Sequence, residues 1–363
     1  MTDKPKKIAV VLFNLGGPTG VKTIRPFLQN FFMDKNIIPF PSLLRYGVAR
    51  LISNRRGKGP ALDSYNEMGG SSPLLENTLA QARALQPLLS AMGEQVRVYT
   101  CMRYWHPMAE SVVAEVQAFQ PDELFLVSLY PQQSSTTFWS SLQQWQAVAD
   151  AYGYTKEPAV ICCYPTDPGF IKASAKLVRA EIEKCHAAIG RMPRVLFSAH
   201  SLPVKVIKQG DPYQYQCELT VKAIVEQLAI PDLDYRISYQ SKVGPQEWLG
   251  PQTEDEIKQA GADNVPLIIY PHAFVSEHVE TIVELGVEYK HVADDHGVPY
   301  YGVVQTVGTH PDFIQGLAKR ITDLQGRTGM FSDSPDDGKS ICPPDAIWCC
   351  QRRAKNEKII LQG

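Results

Sequence analysis

Short apolar, β-branched runs recur along the chain at residues 8–15, 95–102, 123–130, 159–164, 194–198, 235–239, 265–270 and 300–305. Most are apolar nearly throughout instead of alternating, as parallel strands covered on both faces should be. Between them lie stretches of helical period, at 79–89, 111–119, 170–186 and 217–228. Strand alternating with helix predicts an α/β protein of two similar, doubly wound, Rossmann-like halves with parallel sheets. Two internal echoes agree with this. Segments 126–131 and 267–271 are both strands ending in Tyr-Pro, and 13–18 parallels 197–203 as strand, small-residue turn and proline. The expected segments are 1–155, 156–330 and a C-terminal extension, 331–363.

Two stretches break the alternation. Residues 29–52 carry Phe31, Phe32, Met33, Ile37, Ile38, Phe40, Leu43 and Leu44 around Pro39 and Pro41, and the prolines deny the region one long helix. About half of these residues are expected in a helical hairpin packed on the sheet. The remainder suit an apolar lip that touches membrane or a greasy ligand. Residues 332–339 are polar and turn-rich, and read as a linker closing the second half.

Composition narrows the function. Charged residues are 20% of the 363, with a formal net charge of −2, and no basic stripe marks a nucleic-acid partner. The apolar stretch after the first lysines is too short for a signal sequence, and no run approaches a membrane span. A cytoplasmic location is expected, peripheral at the membrane if the lip makes contact. Monomer and homodimer are both open.

Candidate chemistry gathers at strand ends in the second half. Phe197-Ser198-Ala199-His200-Ser201-Leu202-Pro203 sets one imidazole at the C-terminal edge of a strand, where open α/β sheets present ligand groups. After the strand at 265–270, Ser276 is expected to cap a helix. Glu277, Glu280 and Glu284 then fall at steps of three and four, predicting three carboxylates on one helix face. An imidazole with such a row, and no third histidine nearby, suits a divalent cation held transiently or a proton relay. The loop Tyr239-Gln240-Ser241-Lys242-Val243-Gly244-Pro245-Gln246-Glu247-Trp248 carries a tryptophan that plugs the surface or offers a flat face to a flat ligand. Arg55, Arg56, Tyr65, Ser72, Arg103 and Tyr104 are candidate donors to a ligand's carboxylates.

Taken together, the run 197–203, Gly210-Asp211-Pro212-Tyr213, Gln240-Ser241-Lys242-Val243-Gly244-Pro245, Trp248-Leu249-Gly250-Pro251 and His278-Val279-Glu280-Thr281 resembles the ferrochelatase family. Asn14-Leu15-Gly16-Gly17-Pro18 and Gly70-Ser71-Ser72-Pro73 are similar to its N-terminal half, so the resemblance spans about residues 8–325. It implies insertion of Fe²⁺ into protoporphyrin IX, the closing step of heme synthesis, in a fold of two halves around a porphyrin cleft. It also implies that His200 and Glu280 are the active-site pair and that Glu277 and Glu284 continue an acidic path for iron. Leu15, Tyr65, Trp248 and Phe274 match positions lining the porphyrin pocket, and Arg56 and Ser72 match propionate positions. The loop before Tyr65 differs in length from the family's. Whether His200 acts as general base or as iron ligand stays open.

Eight cysteines in a reducing compartment are not expected to form a disulfide framework. Three of them, Cys342, Cys349 and Cys350, crowd the C-terminal extension. An iron–sulfur cluster takes four thiolates, so a fourth must come from elsewhere. The resemblance implies a [2Fe–2S] cluster on three C-terminal cysteines and one internal cysteine. The segment Gln133-Ser134-Ser135-Thr136-Thr137, where some relatives place it, has none here. Cys163 or Cys162 is the candidate, and alternation along a strand predicts that only one of them faces the cluster. Ordinary thiols in a tail, or zinc on the same sulfurs, are the alternatives.

Two rival functions share the fold class. A nucleotide-dependent oxidoreductase would need a Gly-x-Gly-x-x-Gly turn after the first strand, and Gly16-Gly17-Pro18 does not supply it. A tetrapyrrole or iron carrier would bind porphyrin without turnover.

Overall fold

Every run expected to be a strand forms one. In the computed structural model, which describes residues 5–93, 95–334 and 339–356, they are β1 (Lys7–Asn14), β2 (Gln95–Met102), β3 (Glu123–Ser128), β4 (Ala159–Ile161), β5 (Arg194–His200), β6 (Tyr235–Gln240), β7 (Leu267–Tyr270) and β8 (Tyr301–Val303). A ninth, β9 (Gly329–Phe331), has no counterpart in the pattern because three residues led by a glycine carry no periodic signal.

The strands form two wholly parallel sheets, ordered β2-β1-β3-β4-β9 and β6-β5-β7-β8. Their composition follows from burial. Residues Ile8 to Phe13 of β1 are buried on both faces, so helices such as Ala109–Phe119 and Phe138–Ala151 must cover the sheet.

The two compact units do not follow the expected segments. The first comprises Met1–Cys163, Leu317–Ile341 and Trp348–Gly363, and the second comprises Tyr164–Gly316 and Cys342–Ile347. Pairing explains the difference from boundaries at 155 and 330. β4 hydrogen-bonds to β3, and β9 to β4 with Ala159 opposite Gly329, so both belong to the first sheet. The C-terminal segment is divided between the units. The expected linker at 332–339 lies partly outside the described residues.

In the first unit, residues 29–52 contribute to two helices, α1 (Val21–Phe32) and α2 (Ser42–Arg56). Phe27 and Leu28 of α1 are buried, whereas α2 buries only Ala49 and Ser53. Leu43 is 89% and Leu51 70% exposed, with Phe40 and Leu44 also outward. The Ser53 hydroxyl donates to Gln29 Oε1 at 2.9 Å and ties the helices together. The segment between them is anchored by Asp34, a buried carboxylate that accepts from the Tyr104 hydroxyl at 2.6 Å and from Ser140, and pairs with Arg103 at 3.2 Å. The Arg103 guanidinium also donates to Ser140 and Gln144, and Tyr104 is fully buried. These two residues, expected as ligand donors, hold the hairpin instead.

Candidate active site

His200 is the last residue of β5, flanked by β6 and β7 in the second sheet. Pro203 turns the chain out, and that turn is fixed by the loop carrying Trp248. Val204 N donates to Glu247 O at 3.0 Å, Leu249 N to Leu202 O at 2.9 Å, and the Ser201 hydroxyl to Leu249 O at 3.0 Å. Trp248 pairs with Pro203 in a single β-bridge and is half-buried. The imidazole's orientation follows from one contact. Its Nδ1 lies 2.6 Å from Ser201 O. A carbonyl only accepts, so Nδ1 carries the proton and, in the neutral ring, Nε2 keeps its lone pair. That Nε2 stands 3.6 Å from Glu280 Oε1.

The acidic segment departs from the expected α-helix. Residues Glu280–Glu288 form a π-helix, a rare i→i+5 pattern that is frequent at functional sites. The chain from Ser276 to His278 precedes it, so Ser276 is not its cap and Glu277 is not part of a helical row. Instead the Glu277 carboxylate accepts from Thr306 N at 2.7 Å and from the Thr281 hydroxyl. Glu284 accepts from Ser241 N at 2.9 Å, the Ser241 hydroxyl at 2.5 Å, Gln240 Nε2 at 3.1 Å and the Tyr289 hydroxyl at 3.0 Å. Ser241 has φ 65°, a left-handed conformation that is strained for serine and turns both donors toward one carboxylate. Burial, and then the neighbouring Glu280 carboxylate, push the Glu284 pKa up despite these donors.

Spacing gave no hint of His278. Its Nε2 lies 3.3 Å from Glu280 Oε2, so a second imidazole joins His200 at this carboxylate. The Phe274 ring packs on it with centroids 4.6 Å apart, and its buried Nδ1 has no hydrogen-bond partner among the described residues. Each Glu280 oxygen therefore faces an imidazole nitrogen, Oε1 that of His200 and Oε2 that of His278. The signal was present in sequence as a histidine two residues before Glu280, but a step of two has no meaning on a helix. Another imidazole, His272 just after β7, is fully buried and packs against Phe197. Burial pulls its pKa down to about 3, which keeps it neutral in the core.

In the first unit, Leu15 follows the C-terminal edge of β1 and is half-buried. Ser72 donates its amide to Pro18 O at 2.8 Å, and a Cβ on Gly17 would lie 2.5 Å from its hydroxyl. Only glycine at 17 lets the two turns meet. Arg56 ends α2, and Tyr65 is buried in the helix Pro60–Glu67.

The sulfurs of Cys162, Cys163 and Cys350 all lie within 4.8 Å of one another and are buried. Cys162 and Cys350 are joined as a disulfide, a single bridge where no disulfide framework is expected. Both Cys162 and Cys163 face the group because β4 ends at Ile161, so strand alternation no longer separates them. Cys349 is buried beside the Ser340 hydroxyl at 2.9 Å. Cys342, in the second unit, accepts from Gln216 Nε2 at 3.2 Å.

Comparison with known proteins gives a consistent result. The family model described as ferrochelatase matches residues 7–324. A ferrochelatase of Wolbachia sp. subsp. Drosophila simulans is 49% identical over 88% of this chain and 99% of its own length. That of Caulobacter vibrioides is 47% identical over 89% of this chain and 91% of its own. That of Pelagibacter ubique is 43% identical over 94% and 98%. Among solved structures, SirB from Bacillus subtilis with Fe³⁺ shares the fold at a TM-score of 0.50 and 11% identity, covering 88% of this chain and 96% of its own.

Proposed function

Because this chain belongs to the ferrochelatase family, we propose that His200 and Glu280 carry the proton and metal exchange of its reaction. The activity is the family's. Fe²⁺ enters protoporphyrin IX, two pyrrole N–H protons leave, and protoheme forms in the final step of heme biosynthesis. The observation that carries the residue assignment is the 3.6 Å approach of His200 Nε2 to a Glu280 oxygen with Nδ1 already protonated. A lone pair and a carboxylate facing each other repel unless a proton or cation lies between them. His200 takes a pyrrole proton as general base, and Glu280 accepts it onward or holds the arriving Fe²⁺. Glu284, with its raised pKa, is the next proton acceptor, and Glu277 stands beside the path on its hydrogen bonds to Thr306 and Thr281.

Leu15, Tyr65, Trp248 and Phe274 are proposed to contact the macrocycle, and Arg56 and Ser72 its propionates. Replacing His200 with alanine tests the assignment. Iron insertion is expected to vanish while protoporphyrin still quenches tryptophan emission with unchanged affinity. Full turnover in that variant removes His200 from the mechanism.

A [2Fe–2S] cluster is the proposed use of the cysteine group. Three buried sulfurs converging within 4.8 Å are the donor chemistry such a cluster takes. Cys350 and Cys162 or Cys163 supply ligands, with Cys349 and Cys342 completing the set. The cluster, when bound, supplies a one-electron redox centre. Disulfide sulfurs are not thiolates, so loading requires the Cys162–Cys350 pair to be reduced.

Peripheral contact with a membrane is proposed for α2 and the turn before it, on the exposure of Phe40, Leu43, Leu44 and Leu51. Among the described residues no helix is long and apolar enough to cross a membrane. A cytoplasmic location is proposed with it.

A further inference from the structure

One buried glutamine, Gln133, holds the backbone on both sides of Cys349. Its Nε2 donates to Trp348 O, and its Oε1 accepts from Cys350 N at 2.9 Å. A single side-chain amide thus does what a residue of a parallel strand does for two positions of its neighbour. The same Trp348 carbonyl accepts a second buried donor, Trp139 Nε1, at 2.7 Å. The Trp348 ring packs edge-on to Trp139 with centroids 6.4 Å apart, and the Arg353 guanidinium lies 4.0 Å over Trp348 and 5.1 Å from Trp139. Gln351 Nε2 donates to Met330 O of β9 at 2.8 Å. None of these contacts involves sulfur.

We propose that Gln133 and Trp139 are positioning residues forming a dock for the segment 348–353, which brings Cys350 to Cys162 and Cys163 through contacts that do not involve sulfur. The argument is one of satisfied groups. Gln133 and Trp139 are almost completely buried, and a buried amide and indole N–H are costly unless each meets a partner of the right kind. The segment presents one carbonyl and one amide where those side chains need them. It is therefore placed by the protein, and the sulfurs meet as a consequence. Docking would precede disulfide formation or cluster assembly and would survive the loss of either. The part of this inference that concerns a cluster rests on the cluster reading above; the dock itself does not.

Trypsin cleavage after Arg352 and Arg353 in the full-length protein reports undocking, and iron and labile sulfide per chain report the cluster. With Cys162, Cys163 and Cys350 all changed to serine, cleavage is expected at the wild-type rate. Gln133→Leu leaves the Cys350 amide buried and unpaired, so cleavage there is expected to be about tenfold faster, with iron and sulfide falling in parallel. Trp139→Phe keeps the ring packing, removes one donor and is expected to fall between. The dock is overturned if the serine variant is cut as fast as Gln133→Leu, or if Gln133→Leu and Trp139→Phe are both cut at the wild-type rate. A wild-type protein without iron or sulfide overturns the cluster alone, since the cleavage rates still test the dock.

Discussion

His200 Nε2 and Glu280 Oε1 face each other at 3.6 Å, and the proton of the neutral imidazole is on the far nitrogen, bonded to Ser201 O. The pair is an acceptor facing an acceptor, a place prepared for something positive. Removing the charge without the shape should separate proton and iron handling from porphyrin binding. Glu280→Gln is expected to lower kcat for Fe²⁺ insertion by about 10² or more, with the Kd for protoporphyrin unchanged. A continuous assay of porphyrin fluorescence loss measures both, and an unchanged kcat would remove Glu280 from the chemistry.

Glu284 gives a pH signature of its own. Its folded pKa is raised by burial and by Glu280 above the ordinary 4.5. Just above 4.5 the unfolded chain has released a proton that the native protein still holds. Stability must therefore fall as pH rises through that window. Glu284→Gln has no proton to exchange, so urea unfolding curves at successive pH values should show a shallower fall for the variant. An identical slope would mean that the carboxyl ionises in the fold as it does in water.

His272 works in the opposite sense. Burial holds its pKa at about 3 against an ordinary 6.5, only partly offset by a hydrogen bond with the Ser198 backbone. Below pH 6.5 the unfolded chain takes up a proton that the fold refuses, so stability is lost as pH falls. The loss should be about 2 kcal/mol between pH 6.5 and 5. His272→Gln should be less stable at neutral pH but lack most of this acid sensitivity, as denaturant midpoints across that range will show.

Much of this architecture was legible because most of the buried parallel strands write themselves as nearly unbroken apolar runs, while β2 and β6, half-exposed at the sheet edges, still show as β-branched and aromatic runs. β9 did not, and without it the return of the chain to the first sheet, through its pairing with β4, could not be read. His200 was readable as the last residue of an apolar run with proline beyond. The geometry around Glu280 was not. A π-helix leaves no distinct period in the sequence, and His278 reaches Glu280 through the turn before it. Arg103 and Tyr104 misled for another reason: residue type suggested ligand donors, but their partner, Asp34, is about 70 positions away and only the fold brings it beside them.

The exposed face of α2 predicts its own behaviour. Leu43 and Leu51 stand 89% and 70% exposed, too open for a core and too apolar for a surface without a partner. Leu43→Glu with Leu44→Glu should reduce co-sedimentation with anionic liposomes severalfold while leaving the melting temperature within about 2 °C. Equal sedimentation of variant and wild type would show that the membrane does not use this face.

Cys350 is the residue on which the two fates of the cysteine group diverge. Its sulfur is bonded to Cys162 in the disulfide form, and as a thiolate it stands within reach of Cys163 as well. Cys350→Ser removes a ligand from any cluster and the bond from any disulfide. The wild-type protein, purified without oxygen, should be coloured, with visible charge-transfer absorption and about two irons and two sulfides per chain. The Cys350→Ser protein should be colourless. Zinc on the same thiolates would instead give a colourless wild type that releases one metal ion to a chelator. Exposing the coloured protein to oxidant should bleach it and produce the Cys162–Cys350 linkage, detected as one cross-linked peptide by mass spectrometry. Bleaching that left both cysteines as thiols would show that the disulfide and the cluster do not compete for the same sulfurs.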